Sequence, residues 1–168
     1  VCEGVFHRIS SGTTRDGLEV FGKMEKGYLL SVDSNWDMYG DGYLSGHYFS
    51  EGALREQLEK AYPGLVFTEE PVENQINMYK RDKVGHILSL TVGNKTISGE
   101  EFRQLLELPS SNFTMQAADG KIRFLCKGQG HGLGLSQYGG NVLAKEGKSY
   151  KEILRYYFPE CGVQKKDS

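Results

Sequence analysis

Gly128-Gln129-Gly130-His131-Gly132-Leu133-Gly134-Leu135-Ser136-Gln137-Tyr138-Gly139 is the stretch around which the rest of the chain is arranged. Five glycines stand among its twelve residues, with one His, one Ser, one Gln and one Tyr between them. Glycine loses more backbone freedom on folding than any other residue, so such density makes sense where φ is positive or where another backbone or a ligand comes close. A flexible linker repeats Gly and Ser without ordered aromatics and amides. Leu133 and Leu135 can anchor the loop to a core. Ser136 can cap a helix continued by Val142, Leu143 and Ala144 and stopped by Gly147. A glycine-rich loop entering a helix N-terminus gathers free N–H groups, which suit anions or sugar and amide oxygens.

Two other glycine-rich readings fail. No Gly-Lys-Ser/Thr closes this loop, as a phosphate loop requires. The alternation of Gly128, Gly130, Gly132 and Gly134 is not the G-x-G-x-x-G of a dinucleotide unit. A tight loop before a helix, with His131 satisfied by a backbone carbonyl, stands against the functional reading.

Working outward, the 168 residues suffice for one domain with a real core. The net charge of −2 gives no electrostatic case for nucleic acid, and no basic run suggests a membrane surface. No apolar run approaches the ~18 residues of a transmembrane helix. The chain opens at Val1 in what reads as a strand, and is expected to be a trimmed or processed fragment. Cys2, Cys126 and Cys161 lie far apart with no C-x-x-C, which disfavours a zinc site, leaves at least one thiol unpaired and does not settle the compartment.

Local patterns give an α+β class: mixed, mainly antiparallel strands with several short helices in a single compact body. Val1–Ser10 reads as a strand, Ser10–Gly17 as a polar turn and Tyr28–Val32 as a short strand. Met38–Gly46 reads as irregular. Leu54, Leu58 and Ala61 make one stripe of a helix near 50–62. Strands from Met78 to Ser98 turn at Gly93-Asn94, and Asp119-Gly120 joins a second hairpin. Ser98-x-x-Glu101 and Ser149-x-x-Glu152 are capping boxes for helices near 99–107 and 150–158; the loop helix falls near 136–146.

Of four histidines, His47 and His86 read as ordinary surface, His7 and His131 as the wall of a site. No H-E-x-x-H and no G-x-S-x-G occurs, so neither a metal hydrolase nor a serine hydrolase elbow is supported.

Phe124 through Gly139 closely resembles the signature of the stage II sporulation protein D family, G-x-G-H-G-x-G-x-S-Q-Y-G. Phe6-His7-Arg8-Ile9-Ser10-Ser11-Gly12-Thr13-Thr14 resembles its H-x-x-S-x-G-x-T stretch. Tyr28 through Asp37 resembles the next block, Ser98 through Phe113 the segment before the signature, and Ala144 through Pro159 the closing helix. The matches fall in order along nearly the whole chain.

That resemblance implies a lytic transglycosylase acting on peptidoglycan glycan strands without stem peptides during engulfment in sporulation. Its partners would be a cell-wall amidase and engulfment proteins. One carboxylic acid would protonate the leaving oxygen, then help the sugar's own 6-hydroxyl attack, leaving an anhydro end. The family's general acid is a Glu in an Ala-rich helix upstream of the H-x-x-S-x-G-x-T stretch, where this chain has no counterpart. The metal ligands of some members lie there too. Residues 1–168 therefore read as the C-terminal portion of such a domain, with no catalytic residue, metal or cofactor assigned. The location implied is extracytoplasmic, with a membrane anchor upstream. Matching positions carry over as groove residues: His7, Ser10, Gly12, Thr14, Trp36 and Asp37, with His131, Ser136, Gln137 and Tyr138 from the signature. Trp36 would stack on a sugar ring; Gln137 and Tyr138 would bond N-acetyl or hydroxyl groups. The alternative is a non-catalytic glycan-binding or amidase-enhancing module.

Overall fold

The computed structural model describes residues 2–164. Along the chain run β1 (Phe6–His7), α1 (Gly17–Phe21), β2 (Leu44–Ser50), α2 (Glu51–Ala61), β3 (Ile76–Arg81), β4 (Ile87–Val92) and β5 (Lys95–Ser98). Then follow α3 (Gly99–Leu105), β6 (Phe113–Ala118), β7 (Lys121–Lys127), β8 (Leu135–Ser136), α4 (Gln137–Lys145) and α5 (Tyr150–Tyr157). The class is α+β with mainly antiparallel strands, as the sequence implies. The chain divides into two compact units, Leu44–Lys127 and the two flanking stretches together.

In the Leu44–Lys127 unit, two three-stranded antiparallel sheets run in the orders β2-β7-β6 and β3-β4-β5. Strand alternation turns Ile122, Phe124 and Cys126 of β7 inward. Phe124 meets Phe113 and Phe102 with ring centroids 5.4 and 5.7 Å apart. Leu54 and Leu58 of α2 complete this core, capped at the helix start by the Ser50 hydroxyl. Ala61, expected on the same stripe, is exposed, because the last turn of α2 runs past the core. Both hairpins form, and Asp119 and Gly120 take φ of 53° and 70°, the two positive values a two-residue type I′ turn needs.

Two expectations for this unit are corrected. His86 is buried, not surface, with Nδ1 2.9 Å from the Ser111 hydroxyl. Strand β2 occupies part of the stretch read as irregular; Tyr and Gly mask its alternation, and its pairing with β7 supplies the order.

In the unit built from the flanking stretches, Leu29, Leu133, Leu143, Tyr157 and Phe158 form the core. The predicted strand at Val1–Ser10 reduces to β1 and a single bridge at Ile9. Tyr28–Val32 is not a strand. Thr14 takes the place of a strand partner there: its N–H donates to Val32 O, and its hydroxyl donates to Leu30 O and accepts from Val32 N. Helix α1 was not expected; Asp16 caps it and Gly22 ends it at φ 65°. Both helices of the signature end form as read, α4 capped by Ser136 and α5 by the Ser149/Glu152 box. Each cap is worth about 1 kcal/mol.

Candidate functional site

The glycine-rich loop lies against the segment that carries the H-x-x-S-x-G-x-T match. β1 pairs in parallel with β8, Phe6 opposite Leu135 and His7 opposite Ser136. Further along, Ile9 and Gln129 exchange backbone hydrogen bonds at 3.1 and 2.8 Å, and Arg15 N donates to Gly132 O at 2.8 Å. The contact is too close for side chains at Gly128, Gly130 and Gly134. A Cβ on Gly134, whose φ is 69°, would strike the Val5 carbonyl, and one on Gly130, whose φ is 106°, would stand 2.9 Å from His7 Cβ. The glycines thus serve both close approach and positive φ.

This packing brings His7 and His131 together, ring centroids 5.9 Å apart. Leu133 holds both: its carbonyl lies 3.0 Å from His7 Nδ1, and its N–H donates to His131 Nδ1 at 3.1 Å. His131 is therefore tied to a backbone N–H through Nδ1 of its ring. Burial pushes the His7 imidazole down to about 4, reinforced by His131 and opposed by the Leu133 carbonyl and Asp37. His7 is neutral at pH 7. Its Nδ1 carries the proton, since a carbonyl only accepts, and its buried Nε2 has no partner among the described residues.

Asp37 lies fully buried in the turn after Trp36, where Oδ2 accepts from Ser10 N at 2.8 Å. Ser10 Oγ accepts from Gly12 N, and Gly12 O accepts from Ser34 N. Ser136 Oγ accepts from Gly139 N. Ser10, Thr14, Asp37 and Ser136 are all buried and direct their polar atoms at backbone groups. They shape the wall from behind. Trp36 is half-buried, its ring 5.8 Å from Tyr156.

Gln137, exposed, and Tyr138, half-buried, at the first turn of α4, line with Arg8, Ile9, Asp41 and Asn141 an open pocket of about 450 Å³. Tyr138 N donates to Arg8 O at 3.0 Å, which ties the pocket to the β1 segment. The predicted residues thus divide into a buried polar scaffold, the half-buried Trp36 and His131, and Gln137 and Tyr138 at this pocket. Arg15 was missed: it is buried, and Nη1 donates to His131 O at 3.0 Å, clamping the loop. Its place in the run of polar residues read as a turn hid it. Arg8, Asp41 and Asn141 were missed as well, because surface polar residues carry no pattern of their own.

Among the described residues, no group of three or more His, Cys, Asp or Glu side chains is gathered to hold a metal ion. No helix there is long and apolar enough to cross a membrane. Cys2 and Cys161 form a disulfide, and Cys126 is free and buried.

No family model matches the chain. It is 29% identical over 167 residues to the stage II sporulation protein D of Bacillus amyloliquefaciens, covering 99% of this chain and 46% of that protein. The stage II sporulation protein D of Bacillus subtilis strain 168 is 28% identical over the same coverage. A stretch of 50 residues is 42% identical to the amidase enhancer of Bacillus subtilis, covering 30% of this chain and 7% of that protein. The chain spans about half the length of the stage II sporulation proteins it matches. The glycine loop, its His pair and the Ser136-Gln137-Tyr138 helix start all fall within one continuous stretch of similarity to the stage II sporulation protein D of the two Bacillus species, along 99% of the chain.

Proposed function

We propose that this chain is the glycan-holding part of a cell-wall protein of sporulation, taking peptidoglycan strands that lack stem peptides. The names of its relatives support a sporulation and cell-wall role. The observation that carries the glycan reading is the pair Gln137 and Tyr138, set with Asn141 in an open pocket beside the loop. An amide pair and a phenol at the start of a helix suit acetamido and hydroxyl groups of sugars. The buried His7, Ser10 and Asp37 network keeps the loop in place beneath them.

Glycosidic cleavage needs a carboxyl within hydrogen-bond reach of the leaving oxygen. Asp37, the one acidic residue carried over as a groove position, is fully buried and bonded to Ser10 N, so it cannot reach a sugar. In this reading the chain binds strands and the acid comes from elsewhere in the longer protein. Cleavage would then leave anhydro ends, and a cell-wall amidase and engulfment proteins would be its partners. The Cys2–Cys161 disulfide fits an oxidising, extracytoplasmic location.

The test is to incubate the 168-residue chain with peptide-free glycan, then measure binding by co-sedimentation and products by mass spectrometry. Binding without anhydro products is expected, and Gln137→Ala with Tyr138→Ala should abolish it. Anhydro products lost on Asp41→Asn would place the acid on the pocket rim and overturn the binding-only reading. No binding to any glycan would overturn the whole of it.

A further inference from the structure

Arg8 follows β1, at a bend between β1 and the bridge at Ile9, and is exposed. Its neighbours His7 and Ile9 are both buried. Its backbone cannot shift freely, because Arg8 O accepts from Tyr138 N while Ile9 is bonded in both directions to Gln129. The side chain lines the same pocket as Gln137, Tyr138 and Asn141. Asp41 lines it too, yet among the described residues the Arg8 guanidinium forms neither an ion pair with it nor a hydrogen bond. The pocket therefore presents a cation carried on a held backbone, its guanidinium without a partner among the described residues, next to groups suited to a neutral sugar.

A guanidinium fork matches a carboxylate. In a cell-wall glycan, one sugar of each pair bears a lactyl ether whose carboxyl is free in a bare strand and amide-bonded when a peptide is attached. Resting on the glycan reading above, we infer that Arg8 is a specificity-determining residue, binding the free lactyl carboxylate and so favouring peptide-free strands. Asp41, which lines the same pocket, accepts from sugar hydroxyl or acetamido N–H groups and repels a carboxylate bound beside it. An amide-bonded lactyl group offers the fork one neutral oxygen in place of two charged ones, and its peptide would have to leave through the pocket mouth.

The experiment uses the 168-residue chain and three tetrasaccharide probes: the cell-wall repeat with free lactyl carboxylates, the same with each carboxyl converted to a methylamide, and the N-acetylglucosamine tetramer. Titration calorimetry is run on the unaltered chain, Arg8→Gln and Arg8→Lys, with thermal melts confirming that both variants fold. The free carboxylate should bind about tenfold more tightly than the methylamide, a preference that shrinks with added salt. Arg8→Gln should erase it by weakening only the carboxylate probe, and Arg8→Lys should keep part of it. Equal affinity for the free and methylamide probes, or equal weakening of all three by Arg8→Gln, overturns the assignment while leaving the glycan reading standing. If the unaltered chain binds none of the probes, the glycan reading falls and the role of Arg8 falls with it.

Discussion

His7 and His131 are linked through one residue, Leu133, whose carbonyl takes the Nδ1 proton of one ring and whose N–H donates to Nδ1 of the other. Nδ1 therefore carries the proton in His7 and accepts one in His131. A single peptide unit of the glycine loop sets both, so any shift of that loop alters the two imidazoles together.

This arrangement makes the fold acid-sensitive in a defined window. His7 has its pKa lowered from 6.5 to about 4 by burial. Between those values the unfolded chain binds a proton that the folded chain refuses, so stability falls as pH drops through the window. The slope is about 1.4 kcal/mol per pH unit. Above the window, and again below it, this residue contributes no slope. Urea midpoints from pH 7 to 4 should show the decline, and His7→Asn, which keeps a donor for Leu133 O, should flatten it. An unchanged slope in that variant would assign the acid sensitivity to other groups.

Gly139 and Gly140 are neighbours in α4 with opposite tolerance. A Cβ on Gly139 would run into Tyr157 Oη, Trp36 Nε1 and, at 2.6 Å, Ser34 Oγ. On Gly140 it would find only ordinary contacts, the nearest Ile153 Cγ2 at 3.5 Å. Gly139→Ala should destabilise by about 1–3 kcal/mol through overpacking. Gly140→Ala should stabilise by up to about 1 kcal/mol through helix propensity. Thermal melts of the pair check this, and equal effects would contradict the placement of Tyr157.

The elements that the sequence revealed are those whose cause is local. Ser98, Ser136 and Ser149 cap their helices through side-chain bonds to residues three further on, and Asp119-Gly120 supplies its own turn geometry. The Gly128–Gly139 loop was legible because left-handed φ and close approach demand glycine at fixed places. What was hidden depends on distant partners. Thr14 replaces a strand neighbour for Leu30 and Val32, so a β-rich pentapeptide lies extended without a ladder. β2 is ordered by β7, more than seventy residues away, and His86 is drawn into the core by Ser111. Among the site residues, the family resemblance could gather His7, Asp37 and His131 as candidates. It could not tell the buried scaffold from Gln137 and Tyr138 at the open pocket, because burial is a property of the packed whole.

The three cysteines should behave differently. The Cys2–Cys161 bridge closes a loop with a sequence separation of 159, for which the chain-entropy account gives an upper contribution of about 5 kcal/mol. Cys126 is buried, and desolvation pushes its thiol up to about 11, so little thiolate forms at neutral pH. Thiol labelling of the native chain should leave all three unmodified. Reductant should expose two reactive thiols and lower the melting temperature, and Cys2→Ser with Cys161→Ser should reproduce that lower value without further response. A native chain that labels at Cys126 would mean that its core opens readily.

Asp37 offers the sharpest separation of a buried support from a groove residue. Its Oδ2 accepts from Ser10 N, Oδ1 has no partner among the described residues, and its charge raises the His7 pKa against the effect of burial. Asp37→Ala leaves the Ser10 N–H unpaired inside the fold and should cost about 1–3 kcal/mol. Asp37→Asn keeps an acceptor for Ser10 but removes the charge. Without that charge the protonated imidazole loses its nearby support, so the His7 pKa must move further below its present value. The acid-destabilisation window should then reach to lower pH, while neutral-pH glycan affinity stays the same because the carboxyl never meets solvent. NMR titration of the His7 ring and calorimetry with peptide-free glycan measure the two effects separately. A His7 pKa that rises in Asp37→Asn, or a tenfold loss of glycan affinity with stability intact, would contradict this account and put the carboxylate on the sugar side of the wall.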